Sequence, residues 1–277
     1  MGNITEYVNG VLKCSHHITK NPKPENFQMH AHDVYELYIF ISGDAEYFVE
    51  GNVYKLNPGD IMIMRQGETH KLQIKSNKTY ERISIHFSPF AVYETIGKEI
   101  LNPFNSRKLG IMNLYAPEDF ETNHYFSCID TIKRCIDEDK TDAYIIAPLN
   151  SLLVEILKAY DKKEQKKPLK ESKNIATQMV DFINKNLFLD LNLQKIADEF
   201  FISTSQANRV FKKQVGASVW EYVIIKRIMA AKDLIAKGES AYVVATKCGF
   251  SDYSSFWRAY KKTLNQNPKQ IKNNKVL

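Results

Sequence analysis

Apolar and polar positions change their period twice along the chain. Residues 36–42 and 46–50 are dense in aromatic and β-branched side chains, and Ser42, Gly43 and Asp44 supply a turn between them. Gly51 and Asn52 turn the chain again before residues 53–56, and the tight turn 57–60 leads into a strand at Ile61–Met64. Gly67 precedes another predicted strand at His70–Ile74. Residues 81–87 alternate cleanly, with Arg82, Ser84 and His86 on one face and Ile83, Ile85 and Phe87 on the other. Short strands at this spacing, separated by turn signals, predict a small antiparallel barrel or jelly roll.

From residue 118 the period becomes helical. Ile129, Ile132, Cys135 and Ile136 form one stripe, and Leu149, Leu152, Leu153, Ile156 and Leu157 form another. Such a helix pair can cover the barrel's edge or meet a second copy, and the pattern is the same for both. The stretch 161–172 is polar, charged and broken by Pro168, as a linker is. Three parts follow: 1–160 as a domain of strands followed by helices, 161–171 as linker, and 172–277 as a helical domain.

The helical part repeats itself. Arg209, Phe211, Lys212 and Lys213 return as Arg258, Tyr260, Lys261 and Lys262 at an offset of 49, and Ile196-Ala197 returns as Val244-Ala245 at an offset of 48. Each copy reads as helix, tight turn, helix: 193–200 then 205–215, and 241–248 then Tyr253–Leu264. Ser and Thr before the second helices suit caps, and Gly249 suits a helix end that requires positive φ. Ala207, Val210 and Phe211, and in the second copy Phe256, Ala259 and Tyr260, are placed to pack against the first helix. Between the copies, 218–237 reads as a linking helix with Trp220, Val223, Ile224, Ile228, Ala231 and Leu234 buried. Twenty helical residues span about 30 Å, close to the roughly 34 Å between successive major grooves on one face of DNA.

Charge sharpens this division. Residues 172–277 hold 17 Lys and Arg against 8 Asp and Glu, whereas 1–171 hold 21 against 24, within a total of +6. A basic helical module carried by a near-neutral one suggests a polyanion as partner. On the second helices, Ser205, Gln206, Asn208, Arg209, Lys212 and Lys213, and Ser254, Trp257, Arg258, Lys261 and Lys262, form a face suited to a major groove. Arg and Asn can read base edges bidentately, and Lys neutralises phosphate. The composition is globular, with 44% hydrophobic, 12% aromatic and 25% charged residues, which excludes wholesale disorder. No apolar run reaches the roughly 18 residues of a bilayer span, and the N-terminus lacks the order of a secretory signal. Four scattered cysteines are neither a disulfide framework nor a zinc finger, so a cytoplasmic protein with no membrane partner is expected.

The N-terminal half has its own chemistry. His30, His32, Glu36 and Tyr38 share parity on an extended chain, and His70 opens a later strand. If these face one lumen, His30, His32, Glu36 and His70 can hold a divalent transition metal, or the same groups can hydrogen-bond an organic effector without one. Arg82 and His86 face the same lumen by parity, so the expected effector contacts are His30, His32, Glu36, Tyr38, His70, Arg82 and His86. The adjacent pair His16 and His17 point to opposite faces and receive no role.

The segment from His30 to Gly43 follows HxH-x3-E-x6-G and so resembles the first cupin motif; the second motif is matched only through the Pro58-Gly59-Asp60 turn and His70. Residues 172–277 resemble the DNA-binding domain of the AraC/XylS family of bacterial transcription regulators. The likeness rests on the doubled helix-turn-helix, on Arg227, Ala231 and Leu234 in the linking helix, and on the turn Gly249-Phe250-Ser251-Asp252. Asn265 and Lys272 stand where Gly and Arg are usual, and Pro268 is kept. The N-terminal half is similar to the cupin-like sensor of many members. The resemblance implies an α+β architecture: a cupin-like barrel with flanking helices, then an all-α domain of two helix-turn-helix units. It implies a non-enzymatic regulator, an activator acting on promoter DNA with RNA polymerase, a homodimer, and a sugar-like effector. The alternative is a metal-dependent cupin enzyme, or a metal sensor, with a DNA-binding tail. A regulator controlled by abundance alone is a third option, which a polar lumen disfavours.

Overall fold

The computed structural model describes residues 3–8, 10–24, 27–92, 97–138, 142–165 and 174–268. Lys272 and linker residues 166–171 lie outside these.

The strands are β1 (Asn3–Val8), β2 (Leu12–Thr19), β3 (Tyr35–Ser42), β4 (Ala45–Val49), β5 (Asn52–Lys55), β6 (Ile61–Met64), β7 (His70–Ile74), β8 (Tyr80–Phe87) and β9 (Leu114–Tyr115). They form a six-stranded sheet, β1-β2-β8-β3-β6-β9, facing a three-stranded one, β5-β4-β7. Every pairing is antiparallel. Between the sheets, Tyr38, Phe40, Met62, Met64 and Tyr80 meet Tyr47, Val49, Leu72 and Ile74, all at most 5% exposed. The other face of the large sheet is buried too, which is why β3 and β6 read as nearly continuous apolar runs rather than alternating ones.

What buries that outer face is the helix pair α1 (His124–Asp137) and α2 (Asp142–Gln165). Ile129, Ile132, Leu149, Leu152, Leu153 and Ile156 share one core with Leu37, Ile39, Ile61, Ile63, Ile83 and Ile85. The helices therefore cover the sheet's face, not its edge. By length and composition α2 is apolar enough to cross a membrane over Ala143–Gln165, contrary to the sequence expectation, but Leu149, Leu152 and Leu153 are wholly buried against the sheet. The same helix continues to Gln165, through the first half of the polar stretch read as linker.

Strands β1 and β2 were not anticipated. Cys14, Ser15 and His16 are all buried within β2, so no alternation marks it. Their polar atoms are satisfied across the sheet and to α1: Ser15 Oγ lies 3.1 Å from Ser84 Oγ, and the His16 ring lies 2.9 Å from Glu81 and 3.1 Å from Asp137. A second difference lies at the β4–β5 hairpin. The turn residues are Glu50 and Gly51, with φ of 46° and 83°, and Asn52 already pairs with Val49.

The C-terminal half consists of α3 (Ile175–Lys185), α4 (Leu193–Glu199), α5 (Thr204–Val215), α6 (Val219–Ala236), α7 (Ala241–Lys247) and α8 (Tyr253–Leu264). Ser203 caps α5 by accepting from the Gln206 amide, and Asp252 caps α8 by accepting from Ser255. Helix α6 begins with a capping box between Ser218 and Glu221. Its 18 residues span about 27 Å and join two small cores. Ala197, Ala207, Phe211, Val219, Tyr222 and Val223 belong to one; Ile228, Ala231, Val244, Phe256 and Tyr260 belong to the other. Trp220, expected inside, is 43% exposed, with the Arg227 guanidinium carbon 5.7 Å from its ring centre, because Tyr222 and Val223 occupy the buried side of that turn. Asn265 takes φ 53° at the end of α8, a left-handed conformation that asparagine tolerates, so it serves where glycine is usual.

Candidate functional site

Five titratable side chains converge at one end of the space between the sheets. Glu36 and His86 are directly paired on β3 and β8, and His70 opens β7. His30 precedes β3 but is drawn in by an isolated bridge to His70, with backbone bonds of 2.9 and 3.0 Å in both directions. His32 follows two residues on. His70 Nε2 lies 3.0 Å from Glu36, and His32 Nε2 and His86 Nε2 each lie 3.6 Å from it. His32 Nε2 and His86 Nε2 face each other at 3.2 Å.

The outer ring nitrogens fix the tautomers. His30 Nδ1 lies 2.8 Å from the Gln28 carbonyl and His70 Nδ1 lies 2.8 Å from the Glu68 carbonyl. A carbonyl only accepts, so both Nδ1 atoms carry hydrogen and donate, and both Nε2 atoms turn inward. Buried Glu36 Oε2 and His70 Nε2 have no hydrogen-bond partner of good geometry, despite their proximity. His30 is exposed at the mouth of the cluster, yet the protein packed around its ring and the neighbouring His70 lower its pKa to about 4. Burial likewise keeps His32 and His86 below the ordinary histidine range. Burial opposes ionisation of Glu36, but His86 and His70 together hold its carboxyl well below the usual range. Burial opposes protonation of His70, but its contact with Glu36 raises it above the ordinary histidine range, so His70 gives up a proton when a cation takes its place beside the carboxylate. Neutral His30, His32 and His86 with an ionised Glu36 are donors suited to a divalent transition metal. Two overlapping triads, His30 with His32 and His70, and His32 with Glu36 and His86, each bring their ligand atoms within 4.8 Å of one another. His86, expected only as an effector contact, thus joins the group that could hold a metal.

Tyr38 and Arg82 stand apart from this cluster, further along β3 and β8. Tyr38 and Tyr80 share a hydrogen bond of 2.6 Å, and Arg82 donates to Ser84 at 2.6 Å and lies over the Tyr38 ring. The seven residues expected to contact an effector therefore fall into two groups, five at the histidine cluster and two deeper.

In the helical half, Ser205, Gln206, Arg209, Lys212, Lys213, Ser254, Arg258, Lys261 and Lys262 are exposed on α5 and α8. Asn208 is half-buried and accepts a 3.2 Å hydrogen bond from the Val219 amide, so it is engaged at the start of α6. Trp257 is half-buried, with the Lys261 ammonium 5.0 Å from its ring centre. Arg258 is steadied by Ser255 at 3.3 Å. Sequence reasoning used Arg227 only as part of a family pattern and gave it no role. It is 3% exposed and donates to the carbonyls of Leu187, Leu189 and Gly249 at 2.9, 3.1 and 2.6 Å, joining the two helix-turn-helix units. Gly249 is required there twice over: its φ is 79°, and a Cβ would stand 2.7 Å from the guanidinium carbon.

A two-sheet sensor joined to two helix-turn-helix units defines a class, and sequence comparison agrees. The profile of the "AraC-like ligand binding domain" family matches residues 17–128, and that of a "Helix-turn-helix domain" family matches 196–274. The chain belongs to the AraC family: it is a helix-turn-helix transcriptional regulator with an N-terminal ligand-binding domain. Among relatives, it is 22% identical over 253 residues to the HTH-type transcriptional activator RhaS of Escherichia coli, covering 89% of this chain and 88% of RhaS. Among solved structures it is similar to ToxT of Vibrio cholerae, at 14% identity and TM-score 0.38, with 98% of this chain and 95% of ToxT covered. The C-terminal domain of AraT from Geobacillus stearothermophilus matches at 21% identity and TM-score 0.37, covering 39% of this chain and 91% of that domain.

Proposed function

We propose that this regulator senses a divalent transition metal in its N-terminal domain and, as a homodimer, activates transcription at promoter DNA with RNA polymerase. It acts in the cytoplasm and is not an enzyme. The observation that carries the sensing step is the convergence of two overlapping triads, His30 with His32 and His70 and His32 with Glu36 and His86, whose ligand atoms lie within 4.8 Å of one another, with His30 and His70 each held at Nδ1 by a backbone carbonyl. His30, His32, Glu36, His70 and His86 would hold the ion. A sugar-like effector is the second reading, favoured by the Tyr38–Tyr80–Arg82 group. It would have to displace Tyr38, Tyr47 and Tyr80, which fill the space between the sheets.

DNA contact is assigned to the exposed faces of α5 and α8, with Arg209 and Arg258 reading bases and Lys212, Lys213, Lys261 and Lys262 neutralising phosphate. Elemental analysis of the purified, untagged protein tests the sensor. About one transition-metal ion per chain is expected, and its loss in His32→Ala. A metal-free wild type would turn the same residues into polar contacts for an organic effector, to be sought by screening sugars against promoter binding.

A further inference from the structure

The wall between the histidine cluster and the DNA-binding half is one residue thick. Successive side chains of an extended chain point to opposite sides, and here the two sides have different tasks. His70 faces the cluster; its neighbours Thr69 and Lys71 face the other way. Lys71 Nζ donates to the carbonyl of Gly216, the residue that ends α5, at 2.8 Å. Thr69 donates to Glu50 Oε1 from its amide at 2.7 Å and its hydroxyl at 2.9 Å. His32 also faces the cluster, and the next residue, Asp33, pairs with Lys232 of α6.

Glu50 is the centre of this seam. It is 2% exposed, and its carboxylate also accepts from Tyr222 Oη, from Lys226 Nζ at 3.0 Å and from Asn184 Nδ2 at 3.4 Å. Lys226 Nζ donates as well to the Gly67 carbonyl at 2.9 Å. The hairpin tip thus sits between α3 and α6, and a Cβ on Gly51 would meet Val180 at 3.2 Å. Met29, next to His30, packs into the core of the first helix-turn-helix unit. The backbone carries a further sign. A two-residue turn with positive φ at both positions favours Asn, Asp or Gly, yet the first position is glutamate at φ 46°. A bulky residue held in a disfavoured conformation calls for a reason elsewhere, and the five donors on its carboxylate supply one.

We infer that Glu50, Thr69, Lys71 and Asp33 form a latch that seats the sensor on the first helix-turn-helix unit and passes a change at the histidine cluster to α6. Thr69 and Lys71 adjoin His70, and Asp33 adjoins His32, so movement of either histidine toward a bound ion moves the latch residues with it. The targets are the end of α5 and the helix that spaces the two units, the parts that set where both meet DNA.

Glu50→Gly tests this, because it removes the carboxylate while giving the turn a residue that suits its φ. Lys226→Met removes the partner from the other side. In the full chain without ligand, small-angle X-ray scattering is expected to give a larger radius of gyration for both variants than for wild type. Wild-type scattering from both would overturn the latch. Transmission rests on the metal reading and is followed with Zn(II), using the two tryptophans, Trp220 and Trp257, both of which stand in the DNA-binding half. Zn(II) is expected to change tryptophan emission in wild type, and to bind Glu50→Gly by calorimetry with the emission change lost. Zn(II) binding to wild type with silent tryptophans, or an unchanged emission response in Glu50→Gly, would overturn transmission. Absence of Zn(II) binding would refute the metal reading instead, and scattering alone would then decide the latch.

Discussion

The two helix-turn-helix units share a sequence pattern but differ in what surrounds them. The first unit's core takes in Met29 of the sensor, and the carbonyl ending its α5 is held by Lys71. The second unit's core is built from α6, α7, α8 and the turn at Phe250. The first is therefore a braced reader, fixed relative to the sensor. The second is positioned at the far end of α6 and fastened by Arg227. Duplicated motifs need not do equal work: a signal can reach one copy through packing and the other only through the helix between them.

The fastening at Arg227 gives the largest expected effect. Arg227→Ala leaves the Leu187, Leu189 and Gly249 carbonyls without their charged donor. A loss of about 2–4 kcal/mol in urea unfolding is expected, with the second unit melting before the first in amide hydrogen exchange. Arg227→Lys should recover little, because one ammonium cannot reach three carbonyls in the plane of a guanidinium fork. Cooperative melting of both units in Arg227→Ala would show that α6 alone couples them.

DNA binding comes next. Arg209→Ala and Arg258→Ala should each cost roughly 1–3 kcal/mol at a cognate site and relax specificity at one position. Equal weakening on every sequence would remove the arginines from base reading. Lys212→Ala should act differently, lowering the salt slope of binding by about one. The braced unit sharpens this comparison. In Glu50→Gly the cost of Arg209→Ala should fall if bracing positions α5, while that of Arg258→Ala should not change.

Much of this was legible in the sequence, and the gaps have physical causes. Parity placed His30, His32, Glu36 and His86 on one side, and the strands at Ile61–Met64 and His70–Ile74 and the helix at Tyr253–Leu264 stand where their patterns put them. The offset of 49 gave the duplication because helix packing repeats locally. Glu50 was invisible for the opposite reason. A glutamate at a strand end beside a glycine carries no local sign of burial, and its partners Tyr222 and Lys226 are 172 and 176 residues away. Arg227 matched a family pattern, but nothing local says that its donors reach carbonyls 38 to 40 residues back and 22 ahead. Trp220 was misplaced because hydrophobicity was counted without the register of Tyr222 and Val223.

The smallest effect separates the units by acid. The first unit's α5 is capped by Ser203, which does not titrate, whereas α8 of the second is capped by Asp252. The Ser255 amide holds the Asp252 carboxyl below its ordinary value. A carboxyl with a depressed folded pKa stabilises the fold above its unfolded value, and that contribution is lost as pH falls through the folded one. Acidification through the low end of the carboxylate range should therefore loosen the start of α8 and leave the start of α5 unchanged. Amide exchange at Ser255 and Gln206 would register the difference. Asp252→Asn keeps an accepting cap without the titration, so its α8 should hold to lower pH than that of wild type. Identical acid profiles for wild type and Asp252→Asn would mean that the cap contributes nothing the rest of the unit does not already supply.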